Sequence, residues 1–165
     1  MQTKLLGALA AAALLAACAS EDTSGAATGA GAAGGAGASG FGAGTIRPGS
    51  QEDLVANVGD RVFFATDSSS ISADQRPTLQ RQAQWLAQYP QAQVTVEGHA
   101  DERGTREYNL ALGQRRANAA RDVLVASGVS GSRISTISYG KDRPAALGSS
   151  EDAWAQNRRA VTVVR

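Results

Sequence analysis

Residues 94–119, VTVEGHADERGTREYNLALGQRRANA, change their hydrophobic period partway, and that change sets the fold. From Gln93 to His99 the side chains alternate, with Val94 and Val96 on one face and Thr95 and Glu97 on the other, which predicts a strand. Ala100 to Glu107 is a charged loop carrying Gly104. From about Tyr108 to Ser127, Leu110, Gly113, Ala117, Ala120 and Leu124 step by three and four, which predicts a helix with one apolar stripe. Gly128 stands where a left-handed residue would end that helix.

The flanks repeat this alternation of element types. Asp60–Ala65, with Val62, Phe63 and Phe64, reads as a strand, and Thr66–Ser72 as a turn rich in Ser and Asp. Ser72 or Asp74 is placed to cap a helix that carries Leu79, Ala83 and Leu86 and stops at Tyr89 before Pro90. Ile134–Tyr139 reads as a third strand. Ser149 or Ser150 caps a short helix bearing Trp154, and Ala160–Val164 closes as a strand. The order β-α-β-α-β-(α)-β predicts an α+β two-layer sandwich, a small mixed sheet with helices on one face.

The loop between the central strand and helix concentrates the chemistry. Arg116 neighbours the apolar stripe and should be partly buried. A buried arginine needs a partner, and Asp101 is the obvious one. An anion and a cation held together form a receptor for a zwitterion: the carboxylate takes an ammonium, and the guanidinium takes a carboxylate bidentately. The plainer alternative is a salt bridge that orders the loop. Glu97, His99 and Asp101 share a strand face and could sketch a metal or acid–base site. His99 is the only histidine, however, and no second one completes a usual zinc set. His99 is expected to shape the loop through hydrogen bonds. Asn157-Arg158-Arg159 is expected to brace the last helix against residues 101–105, and Trp85 and Trp154 to pack in or near the core. Gly98 and Gly104 lack the spacing of a phosphate-binding loop.

The amino terminus predicts export. Lys4 precedes an apolar run, Leu5–Ala17, that is short of the roughly 20 residues of a spanning helix. The run ends in Leu15-Ala16-Ala17-Cys18, which resembles the bacterial lipobox, so residues 1–17 are expected to be a signal peptide and Cys18 a lipidation site. Cys18 is the only cysteine, which excludes an intramolecular disulfide. The lipid implied is an S-diacylglycerol with an N-acyl chain, and no other cofactor is expected. Ala19, in place of the Asp that resembles an inner-membrane retention signal, implies the outer membrane, with the domain facing the periplasm. Residues 18–50 are then a lipidated start and a linker of Gly, Ala, Ser and Thr that buries too little to fold. About 30 such residues span on the order of 30 Å as a coil. Residues 51–165 form the folded domain. With 16 basic and 15 acidic residues, the chain has no excess charge to suggest nucleic-acid binding.

Val94 through Ala119, with Ser138-Tyr139-Gly140 and Asn157-Arg158-Arg159-Ala160-Val161, resembles the OmpA-like peptidoglycan-binding domain family, and within it the peptidoglycan-associated lipoproteins. The likeness covers about residues 53–165. It implies noncovalent binding of the peptidoglycan stem peptide through meso-diaminopimelate, gripped by Asp101 and Arg116. Asp67, Arg103, Thr105 and Leu112 match positions that contact the peptide less centrally. Thr66 departs from the family, where an aromatic residue often stands. The resemblance also implies docking to TolB and the Tol system, no enzymatic activity, and a role in envelope integrity and outer-membrane invagination at division. Two other readings compete with wall binding. One is a TolB-docking lipoprotein with little wall affinity; the other is an envelope hydrolase using Glu97, His99 and Asp101.

Overall fold

The computed structural model describes residues 46–165, so the expected signal peptide, the lipid site at Cys18 and the linker up to residue 45 lie outside the described residues. Nine elements follow in order: α1 (Gln51–Asn57), β1 (Arg61–Phe63), α2 (Arg76–Gln88), β2 (Val94–His99), α3 (Arg106–Ala126), a 3-10 turn (Gly131–Arg133), β3 (Ile134–Gly140), α4 (Glu151–Asn157) and β4 (Arg159–Val164). The strands form one sheet in the order β1-β4-β2-β3. β2 and β3 run parallel, joined by the long crossover through α3, while β4 lies antiparallel between β1 and β2. This is the α+β architecture with a mixed sheet that the sequence predicts.

The alternation in β2 sends Val94 and Val96 to the helical side. There they join Val62, Ile134 and Ala160 of the other strands with Leu79, Ala83 and Leu86 of α2 and Ala117, Ala120 and Leu124 of α3 in one apolar cluster. The α3 stripe differs from its prediction at one end: Leu112 is buried and Leu110 only half-buried. α3 can lie this close to the sheet because two glycines meet. A Cβ on Gly98 would come within 1.8 Å of the Gly113 carbonyl oxygen.

Two helices start elsewhere than the sequence predicts. α2 begins at Arg76, after Ser72 and Asp74, with Gln75 in the capping position and no side-chain cap. The Ser72 carbonyl instead accepts from the amides of Gln75 and Arg76, and Pro77 stands in the first turn, where a missing N–H costs nothing. α3 begins two residues early because the Thr105 hydroxyl accepts from the Tyr108 amide. α1 was not predicted, since seven residues carry no readable period. It is held by long-range contacts: Gln51 bonds the β4 backbone at Thr162 and Val164, and Trp85 donates to Asp53. Ser150 caps α4 as expected.

Candidate binding cleft

Arg116 projects from α3 into the space between the β1–α2 loop and the end of β2, and none of its surface is exposed. Its Nε donates to the Ser68 carbonyl at 2.8 Å, Nη1 to His99 at 2.9 Å and Nη2 to Ala65 at 3.1 Å. The guanidinium also lies 5.1 Å from the Phe64 ring centroid. Burial pulls its pKa down to about 10, against the pull of the Asp101 charge, so it stays cationic at neutral pH. The sequence is right to bury this arginine and wrong about its partner. Three backbone carbonyls hold it, and no carboxylate among the described residues bonds to it.

Asp101 pairs elsewhere. Its Oδ1 accepts from Arg103 Nε at 3.0 Å and its Oδ2 from Arg103 Nη2 at 2.7 Å, a bidentate grip. The Arg103 amide adds a third bond to Oδ1 at 3.2 Å. Behind it, the buried Arg158 brings Nη1 within 3.5 Å of Oδ2. Burial alone would raise the Asp101 pKa, but the hydrogen bonds and charge of Arg103 outweigh it and hold the carboxyl below its usual range. The loop-ordering salt bridge is therefore real, with Arg103 in the place expected of Arg116.

Asp101, Arg103 and Arg116 line one cleft of about 310 Å³ with Thr66, Asp67 and Leu112. Asp67 adopts a left-handed backbone, φ 53°, which an aspartate in a turn tolerates. The Tyr108 hydroxyl donates to its carboxylate. The Thr66 hydroxyl accepts from Arg103 Nη2 at 3.4 Å, a contact that an aromatic residue there would not make. Thr105 does not line the cleft; its side chain is spent on capping α3.

The cleft also contains residues that the sequence reading passed over. Gly104, Tyr108 and Asn109 line it, and Asn109 donates to the Arg103 carbonyl at 2.8 Å. A signal for Asn109 was present: positions 109, 112 and 116 fall on one helical face.

Of residues 157–159, expected to brace the loop, only Arg158 reaches it, at Asp101, while Asn157 and Arg159 hold the segment 143–146. Arg158 donates to the Phe64 carbonyl at 3.1 Å and to Glu151 at 2.7 Å. Trp154 donates to Glu102 at 3.1 Å, and the Arg103 guanidinium stacks 4.2 Å above its ring. Lys141 holds the Glu102 and Gly104 carbonyls. Trp85 is buried in the core and Trp154 half-buried.

His99 is a correction. It sits 2% exposed, yet neither ring nitrogen finds a hydrogen-bond partner among the described residues, and the Glu97 carboxylate stays 3.6 Å away. Burial, aided by the Arg159 charge, pushes its pKa down to about 4, so the ring is neutral. His99 shapes the site through its carbonyl, which accepts from Arg116, rather than through its imidazole.

The description "OmpA family" fits residues 63–158, the span holding the cleft and strands β2 and β3. The chain is 65% identical over 125 residues to a peptidoglycan-associated lipoprotein of Rhizobium meliloti (strain 1021), covering 76% of this chain and 71% of that one. It is 41% identical over 160 residues to the peptidoglycan-associated lipoprotein of Legionella pneumophila, covering 93% and 90%. The crystal structure of the peptidoglycan-associated lipoprotein from Burkholderia pseudomallei superposes with a TM-score of 0.63 at 46% identity, over 64% of this chain and 90% of that one. Domain, sequence and fold agree, and the chain belongs to the OmpA family, among the peptidoglycan-associated lipoproteins.

Proposed function

We propose that this cleft binds the peptidoglycan stem peptide by its meso-diaminopimelate residue. One observation carries the reading: a fully buried guanidinium, bonded only to carbonyls, forms part of an open cleft. Three of the five guanidinium N–H donors are used, which leaves two for an incoming carboxylate. That carboxylate would supply the countercharge that no described residue bonds to Arg116. Asp101, and Asp67 across the cleft, provide the negative charge for the accompanying ammonium. Leu112 offers apolar contact to the peptide, and Arg103 a further cation for its carboxylates. The role is one of binding, with no turnover.

The rest of the reading draws on the sequence and on family membership. Cys18 carries the lipid that anchors the chain in the outer membrane, residues 18–50 tether it, and the domain faces the periplasm. No helix among the described residues is long and apolar enough to cross a membrane, so the lipid carries the attachment in this reading. TolB is the expected protein partner, which would place the chain in the Tol system that draws the outer membrane inward at division.

The test is titration calorimetry of residues 45–165 with a stem peptide containing diaminopimelate and with one containing lysine. Saturable binding to the first is expected, and its loss in Asp101→Asn. Asp101→Asn is a cleaner probe than Arg116→Ala, because Arg116 also holds three backbone carbonyls. No heat with either peptide would overturn the wall reading and leave TolB docking as the function to pursue.

A further inference from the structure

Asp101 already carries a cation. Arg103 covers both of its oxygens at 3.0 and 2.7 Å, and the fork is held in place by the Trp154 ring at 4.2 Å and the Thr66 hydroxyl at 3.4 Å. The Arg103 side chain is 39% exposed, whereas that of Asp101 is only 10% exposed. From the other side the carboxylate is backed by buried Arg158. An ammonium therefore reaches Asp101 only by displacing or sharing the Arg103 fork.

We propose that Arg103 is the specificity filter of the cleft: it holds the ammonium position on Asp101 and yields it only to a ligand that brings a carboxylate with its ammonium. The inference rests on the diaminopimelate reading and adds how a simple amine is refused. A lysine side chain ends in a lone point charge. To bond Asp101 it must break a bidentate pair and leave Arg103 without an acceptor. The far end of diaminopimelate carries an ammonium and a carboxylate on the same carbon. As its ammonium takes Asp101, its carboxylate meets the spare donors of Arg116 and the released fork of Arg103. Every charge that loses a partner then gains one. Diaminopimelate and lysine differ by that carboxylate alone, so the filter acts on the group that distinguishes them.

The backbone around the filter is built to stay still while the side chain moves. Lys141 holds the carbonyls of Glu102 and Gly104, Asn109 holds that of Arg103, and Trp154 pins the Glu102 carboxylate. Displacing Arg103 costs one ion pair, one ring stack and the Thr66 hydroxyl contact, and disturbs no core packing.

The experiment titrates the full chain in detergent, as wild type, Arg103→Ala and Trp154→Ala, with the diaminopimelate and lysine stem peptides. In Arg103→Ala the lysine peptide is expected to gain about tenfold in affinity, the effect of roughly 1.4 kcal/mol, while the diaminopimelate peptide does not gain, because it loses the Arg103 contact to its carboxylate along with the competitor on Asp101. Trp154→Ala loosens the stack without touching Asp101 and shifts the ratio the same way by a smaller factor. If Arg103→Ala weakens both peptides alike, or leaves the lysine peptide unbound, Arg103 is an ordinary contact and the filter is wrong. If the wild type and both variants bind neither peptide, the diaminopimelate reading fails and takes the filter with it. Wild-type binding of the first peptide separates those two failures. Circular dichroism of each variant confirms the fold.

Discussion

His99 is the side chain whose environment departs furthest from its chemistry. It is an imidazole buried without a hydrogen bond, on the opposite sheet face from Val94 and Val96, with its ring 5.6 Å from that of Tyr139. Its folded pKa is depressed from 6.5 to about 4, so between those values the unfolded chain binds a proton that the folded chain refuses. Stability should be fully present above the unfolded pKa and fall as the pH drops from 6.5 toward 4. Urea unfolding at several pH values would show this slope, and His99→Phe should flatten it. An unchanged slope in the variant would place the titration elsewhere. The same residue marks a limit of sequence reading. Strand alternation puts His99 on the face away from the core, and its burial depends on groups that arrive from Arg143 and Arg159, far along the chain.

The contact between β2 and α3 positions the cleft. Gly98 and Gly113 let the two backbones touch, and Gly140, with φ 52°, lets β3 end under the start of α3. Gly98→Ala would drive a methyl group into the Gly113 carbonyl, and separating the elements should cost about 1–3 kcal/mol or more. It should also weaken ligand binding, because Arg116 would shift away from its three carbonyls. Denaturant unfolding measures the first effect and calorimetry the second; a variant as stable as wild type would mean that α3 can ride higher without loss. The long elements were legible because each repeats its period several times. α1 and the start of α2 were not: the first has two turns, and the second begins on backbone bonds to Ser72 instead of a side-chain cap. α4 could be read as a helix, but not as the wall of a cleft.

The whole molecule, in the reading proposed above, is an anchor, a tether and a binding domain. Residues 47–50 are already bonded to the domain: the Ser50 amide donates to the Arg47 carbonyl, and the Gly49 amide to Asp53 at 2.8 Å. Asp53 also accepts from Trp85, which ties the start of α1 to α2. Cys18→Ser should abolish incorporation of labelled palmitate and release the chain from the membrane fraction while leaving peptide affinity unchanged. Continued membrane association would show that the lipid is not what holds it.

The sequence by itself determined the element types, the apolar faces and the family. Hydrophobic period is a local property, and a long motif with fixed gaps keeps its meaning without coordinates. It also named most of the cleft, because Asp101, Arg103, Leu112 and Arg116 lie within one motif. Only the tertiary structure decided who pairs with whom. Arg116 satisfies itself on carbonyls 17, 48 and 51 residues away, and Asp101 on Arg103 and Arg158. A buried ion takes whatever acceptors packing brings to it, and desolvation penalises every alternative. Charge type and spacing along the chain therefore identify the participants, and the packed geometry assigns the bonds.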